Sequence, residues 1–160
     1  MCSSDLSTVP ELVALAKSRP GKIIYWSSGN GGIPHLSMEL FKSMTGADLL
    51  HVPYKGGGPA YPDFLAGRTQ ATFSSIGIAG PHVRAGRLRA LGIASPQRSE
   101  FAPEIPTFAE GGLPGYEASI WYAVFAPRAL PTRIAELWNR EVNRMLVLPE
   151  SKEQIGRAHV

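Results

Sequence analysis

Three times in this chain a short β-prone run leads straight into a turn of very small residues and then into residues at helical spacing. KIIYW (22–26) is followed by Ser27-Ser28-Gly29-Asn30-Gly31-Gly32 and a helical segment from about Ile33 to Met44. DLLHVPY (48–54) is followed by KGGGP (55–59) and a short helix beginning near Pro59, and TQATFSS (69–75) ends on Ser74-Ser75 ahead of GPHVRAG, a short helix or turn. Strands alternating with helices in this way specify an α/β fold with a mostly parallel sheet. Parallel strands bring their carboxyl ends to one edge, where ligands of open α/β sheets bind. The chain puts its small-residue turns at that edge.

The remaining segments extend the pattern. VPELVALAKS (9–18) has apolar positions at helical spacing, Ser7 or Thr8 as N-cap and Pro10 in the first turn, and RPG stops it. Within 33–44, Leu36, Leu40 and Met44 share one face, with Glu39 and Lys42 pointing outward. RLRALGIAS (87–95) reads as a fourth strand and YEASIWYAVFAP (116–127) as a long β-prone run in which Trp121 and Tyr122 read as core or hinge. Pro131 opens a last helix with an apolar stripe of Ile134, Leu137, Trp138, Val142 and Met145.

The two ends read differently from what lies between them. IGRAHV can be coded ATCGGAAGAGCACACGTC, and MCSSDL, from a GTG start, GTGTGCTCTTCCGATCT. The second is the reverse complement of the first over about fifteen bases, and both match a common sequencing-library adapter. We expect residues 1–6 and 155–160 to be adapter-derived scars, and the chain to be a fragment of a longer gene. The only cysteine, Cys2, lies in the first scar, so nothing argues for a disulfide, a thiol nucleophile or a cysteine metal site. Net charge is +3 with the basic residues scattered, which argues against a nucleic-acid site. No apolar run has the length of a membrane span, so direct membrane insertion is not expected.

What the first turn can hold follows from what it lacks. A P-loop needs Gly-x-x-x-x-Gly-Lys-Ser/Thr, but Gly29-Asn30-Gly31-Gly32 runs on into Ile33-Pro34-His35. The dinucleotide pattern fails because its third glycine falls on Pro34. A carboxylate fits better: the helix beginning near Ile33 offers unpaired N–H groups and a partial positive charge, Ser27 and Ser28 add hydroxyls, and Asn30 can adopt a left-handed conformation as glycine does. His35, in the first helical turn, either donates to a ligand or caps neighbouring backbone. His51, mid-strand, reads as a packed or edge residue, and His82 as a turn residue at the far end of the domain. Lys55 is either an anion partner or a solvated turn lysine. No histidine pair has metal-ligand spacing, no nucleophile elbow is present, and no carboxylates pair by spacing. Neither a metal, a cofactor nor catalysis is expected.

Longer stretches carry a resemblance. GKIIYWSSGNGGIPHLSMELFKSMTGADLLHVPYKGGGPAYPDFLAGRTQATFSS, PHVRAGRLRALGIAS and PTFAEGGLPGYEASIWYAVFAP resemble the Bug (TctC-like) family, periplasmic solute receptors of tripartite tricarboxylate transporters. The resemblance runs from about Val9 to Glu153 and implies a type II periplasmic-binding-protein-like architecture, with two lobes that close over a ligand. Residues 7–117 would form most of the second lobe with a leading helix at 9–18, and 118–154 the hinge crossing and part of the first lobe. A signal peptide would lie upstream. The resemblance implies that Ser27, Ser28, Gly29 and Gly31 belong to a carboxylate-contacting loop, that His35 matches a histidine just inside its helix, and that Tyr54, Lys55 and Gly56 form the second turn. Ser74 stands where many members have an acidic or amide residue, which favours plain carboxylates over amino acids as ligands. The implied function is binding a small organic carboxylate and delivering it to membrane permease subunits. A sensory module on the same fold, or an α/β enzyme domain acting on a carboxylate, are the alternatives.

Overall fold

The structure is a computed structural model that describes residues 6–120 and 123–151. The expected hinge pair Trp121 and Tyr122 lies outside the described residues, as do residues 1–5 and 155–160. Leu6, at the inner end of the first expected scar, is half-buried against the core.

Helix α1 (Val9–Ser18) begins at Thr8, whose side chain accepts from the Glu11 amide while the Glu11 carboxylate accepts from the Thr8 amide. This reciprocal capping box satisfies two amides that the helix itself leaves unpaired. Strand β1 (Ile23–Ser27) runs parallel to β2 (Leu49–Pro53), in register from Ile23 opposite Leu49 to Ser27 opposite Pro53. Helix α2 (Ile33–Thr45) makes the crossover and ends on Gly46 at φ 67°, the left-handed cap that glycine adopts without a Cβ clash. Helices α3 (Gly57–Leu65), α4 (Ile76–Arg84) and α5 (Thr132–Leu146) complete the described elements.

Alternation along β1 sends neighbouring side chains to opposite faces. Tyr25 joins a core made by Val9, Leu12 and Ala16 of α1, Met38 and Phe41 of α2, Leu49, Phe108 and Tyr116. The Phe108 and Tyr116 rings stack at 4.5 Å, and Phe41 meets both edge-on. Trp26, one residue on, packs instead against Tyr54, Tyr61 and Phe64. Its buried indole N–H has no hydrogen-bond partner among the described residues.

Several expectations change here. The segment 69–75 forms a single bridge, Ala71 opposite Tyr25, on the edge of β1 away from β2. Side chains have replaced the flanking rungs: Gln70 Oε1 accepts from the Ile24 amide at 2.9 Å, and Thr72 Oγ1 donates to the Trp26 carbonyl at 3.0 Å. The segment 87–95 likewise contributes one bridge, Ile93 opposite Thr107. Residues 116–120 and 123–127 form no strand; Ala118 donates to Ala94, and Val124 and Phe125 are exposed. No described element packs on those side chains. Helix α5 forms as the periodicity predicts, but Ile134, Leu137, Trp138 and Met145 of its stripe are exposed.

The inward face of α2 is also not the predicted one. Leu36, Leu40 and Met44 are exposed, while Ser37, Met38 and Phe41 are buried and Glu39 is turned back toward Tyr25. Two hydrogen bonds fix this rotation: Tyr25 Oη donates to Glu39 at 2.7 Å, and Tyr116 Oη donates to the Ser37 carbonyl at 2.7 Å. The two faces make a direct test. Phe41→Ala is expected to cost about 3–5 kcal/mol, and Leu36→Ala to stay within about 0.5 kcal/mol, in urea unfolding of this chain. Equal losses would restore the predicted face.

Candidate functional site

The parallel register brings the first two glycine turns side by side. Tyr54 N donates to Ser27 O at 2.9 Å, continuing the ladder, and Gly56 N donates to Ser28 O at 3.2 Å. The third turn is tied in through α3, where Tyr61 Oη and Ser74 Oγ lie 2.6 Å apart. Helices α2, α3 and α4 open from these three turns on Gly32, Gly56 and Ser75, and none of these N-caps makes a side-chain hydrogen bond. By contrast α1, which follows no glycine turn, is closed by its capping box. The first amides of a helix have no internal acceptor and carry the positive end of its dipole. Three uncapped starts at one sheet edge therefore present backbone N–H groups to solvent, the donor set that an anion needs.

Backbone geometry explains the glycines. Gly29, Gly31 and Gly56 have φ of 143°, 76° and 93°, in the region that disfavours a Cβ. Among the described residues no other residue type has positive φ, so Asn30 does not take the left-handed conformation expected of it.

The other expected site residues divide into two groups. Ser28, Gly31 and Lys55 are exposed, and Gly29, His35, Tyr54, Gly56 and Ser74 are half-buried around them. Ser27 is wholly buried: its hydroxyl donates to Gly29 O at 2.9 Å, accepts from Gly29 N at 3.3 Å and lies 2.7 Å from His51 Nε2. A serine 2.7 Å from a histidine has the spacing of a nucleophile and its base, but this oxygen meets no solvent and so no substrate. Its work is to shape the turn. The Tyr54 phenol is committed to Asp63 Oδ2 at 2.8 Å, which raises its own proton affinity and, with the Arg68 contact, holds the Asp63 carboxyl below its ordinary range.

Sequence reading missed two participants. His51 stacks between Tyr25 and His35, with ring centroids at 4.7 and 4.2 Å. Burial, and then the neighbouring His35, push its titration below the ordinary histidine value. Glu39, read as an outward residue, joins Tyr25 Oη and Lys42 Nζ. Burial alone would raise the Glu39 carboxyl, but the hydrogen bonds from Lys42 and Tyr25, aided by the charge of Lys42, hold it below its ordinary value. The stack at His51 depends on the register between β1 and β2, and the bond from Tyr25 to Glu39 on how α2 packs against β1, so neither is announced in the sequence. His82, expected at the far end of the domain, lies in the last turn of α4 and stacks over Tyr61 at 5.6 Å.

Comparison with known proteins is decisive about lineage. A family model described as the tripartite tricarboxylate transporter family receptor, TctC, matches residues 2–158. The chain belongs to this receptor family. It is 41% identical over 141 residues to the protein BugT of Bordetella pertussis, covering 88% of this chain and 43% of that protein. It is 38% identical over 157 residues to a UPF0065 protein from the tcbD–tcbE intergenic region of Pseudomonas sp. strain P51, covering 96% of this chain and 47% of that protein. The chain thus spans about half the length of these curated relatives. Among solved structures, Rpa4515 of R. palustris with adipate superposes with a TM-score of 0.89 at 36% identity, over 95% of this chain and 51% of that one. MatC of Rhodopseudomonas palustris with bound malate gives 0.84 at 28% identity, over 93% and 51%. The periplasmic binding protein BugD gives 0.86 at 26%, over 96% and 52%. The receptor family is one of periplasmic solute-binding proteins, and the α/β architecture with a parallel sheet is theirs.

Glu39 offers a test of the packing under the first turn. Its folded carboxyl titrates below the unfolded value of about 4.3, so its contribution is present above that pH and is lost as pH falls through the folded value. Glu39→Gln is expected to lower stability near neutrality, with the gap to the parent chain closing on acidification. A gap of constant size in urea titrations from neutral to strongly acid pH would show that this carboxylate is not what matters.

Proposed function

We propose that this chain is part of an extracytoplasmic solute receptor that binds a small organic carboxylate and hands it, unreacted, to the membrane permease of a tripartite tricarboxylate transporter. The observation that carries the reading is the meeting of three uncapped helix starts at the carboxyl edge of the parallel strands. A carboxylate accepts hydrogen bonds and donates none, and this edge is built of donors: backbone N–H groups, the Ser28 hydroxyl, and exposed Lys55 close by in the second turn. Two structural neighbours hold adipate and malate, both small dicarboxylates, which supports the same ligand class here.

In this reading residues up to about 117 are most of one lobe, and α5 belongs to the other. The chain covers about half of its structural neighbours, which supports the larger protein that this division requires. The ligand would be gripped from both sides, so the closed form gains contacts that the open form lacks, and closure follows from that difference in affinity. The permease would read the closed shape. A periplasmic location, with a signal peptide upstream of this segment, belongs to the same proposal.

Two experiments test it. Sequencing the source DNA outward across both ends is expected to show the reading frame continuing upstream through another lobe and downstream past Gln154. A gene that truly starts at Met1 and stops at Val160 would sink the two-lobed receptor. With the complete protein in hand, calorimetric titration with four- to six-carbon dicarboxylates is expected to show binding. Gly31→Val, which forces a β-branched residue into φ 76°, should weaken it by about tenfold, since such strain costs about 1–3 kcal/mol. Ser28→Ala should weaken it by a smaller factor. Unchanged affinity in both variants would remove this turn from the site.

A further inference from the structure

The glycine turn is held at both ends by one stacked pair of imidazoles. At its start, His51 Nε2 lies 2.7 Å from Ser27 Oγ. At its end, Gly31 N donates to His35 Nδ1 at 3.0 Å. The two rings lie 4.2 Å apart and 16° from parallel, and Tyr25 closes the column on the other side of His51. A ring nitrogen that accepts a backbone N–H carries no proton, so His35 in this arrangement is the neutral ring protonated at Nε2. That leaves Nε2–H as the ring's donor. The charged and titratable groups around the column are Tyr25, Glu39 and Lys42, and they are bonded to one another.

We propose that His51 is a positioning residue of the anion turn: it fixes Ser27 directly and His35 through the stack, and so sets the shape of residues 27–32 without reaching the ligand itself. The functional half of this inference rests on the carboxylate reading above; the structural half rests on the ligand-free geometry alone. His51 is suited to the role because it sits on β2, in register with Tyr25, and is therefore as rigid as the ladder. The turn is the opposite. Three of its six residues are glycine, which have the widest choice of backbone conformations. Without His51, Ser27 Oγ retains only its bonds within the turn to Gly29, and the His35 ring loses the surface that orients Nδ1 toward Gly31. The free turn would then sample many shapes, and ligand affinity falls when a binding loop must be ordered on association.

The test uses the complete protein and two variants. His51→Phe keeps a flat ring for the stack and removes the bond to Ser27. His51→Gln places an amide at the reach of Nε2 and removes the ring. In the ligand-free state, NMR is expected to show His35 as the Nε2–H tautomer and a slowly exchanging Gly31 amide. In His51→Phe, which keeps the stack and loses the bond to Ser27, Gly31 exchange should stay within about twofold of the parent while adipate affinity falls about tenfold, the scale of one lost hydrogen bond of about 1.4 kcal/mol. In His51→Gln, which keeps a partner for Ser27 and loses the stack, Gly31 exchange should rise about tenfold and the His35 ring should lose its fixed Nε2–H tautomer. Thermal unfolding confirms that each variant is folded; if His51→Phe is not, the comparison is made with His51→Gln and His51→Asn, where only the first reaches Ser27. Unchanged Gly31 exchange and His35 tautomer in His51→Gln would overturn the inference whether or not a ligand binds. If both change but the parent binds no dicarboxylate, the carboxylate reading fails while the turn-holding role of His51 stands. If the parent binds adipate and His51→Phe binds it equally well, the positioning role is overturned and the carboxylate reading survives.

Discussion

The register of β1 against β2 is the constraint on which the rest of this structure depends. Because Ser27 pairs with Pro53, the turns that follow both strands leave the sheet at the same level and touch through Gly56 and Ser28. Because Tyr25 pairs with His51, the two rings stack, and the stack continues to His35 on α2. A slip of one residue would send every side chain of β2 to the other face. It would remove the ring column, move the second turn away from the first and leave Leu49 out of the core together. Fold and site are consequences of one pairing.

In the proposed reading this edge would work with backbone dipoles more than with charges, Lys55 being its exposed cation in the second turn. Its carboxylates are already answered, Glu39 by Lys42 and Tyr25, and Asp63 by Arg68 and Tyr54. What faces solvent is mostly backbone, in three helix starts whose caps make no side-chain bond. Backbone donors are fixed in direction and do not titrate, so such a site recognises an anion by where its oxygens lie. This suits ligands that differ in the spacing between carboxylates more than in charge. The absence of side-chain caps, which would count as a stability defect in an isolated helix, here keeps the donors available.

Much of this was legible in the sequence, and the rest was not for definable reasons. The helices, the first two strands, the crossover through α2 and the gathering of glycine turns at one edge all follow from local patterns, since small residues between a β-prone run and a helical one allow few alternatives. The N-cap at Thr8 was visible as a choice between two neighbours, without its partner Glu11. What failed was whatever depended on a distant partner. Leu36, Leu40 and Met44 make as good an apolar face as Ser37, Met38 and Phe41, and only the hydrogen bonds from Tyr25 and Tyr116 choose between them. The β propensity of 69–75 was real, but Gln70 and Thr72 placed side chains where backbone rungs would have been. His51 was read as packing because a mid-strand histidine, taken alone, has no more specific meaning. Its second role needs Ser27, and that proximity exists only once the strands are paired.

Trp26 carries a consequence of a different kind. Its indole is sealed against water, ringed by Tyr54, Tyr61 and Phe64, and it lies one residue before the turn. Trp138 on α5 is open to solvent. Of the chain's three tryptophans, the two among the described residues therefore have opposite surroundings, one dry and one wet. Blue-shifted emission would come from the indole attached to the ligand edge, and red-shifted emission from the exposed helix. With Trp121→Phe removing the third indole, light alone, with no label, separates what happens at the turn from what happens at α5.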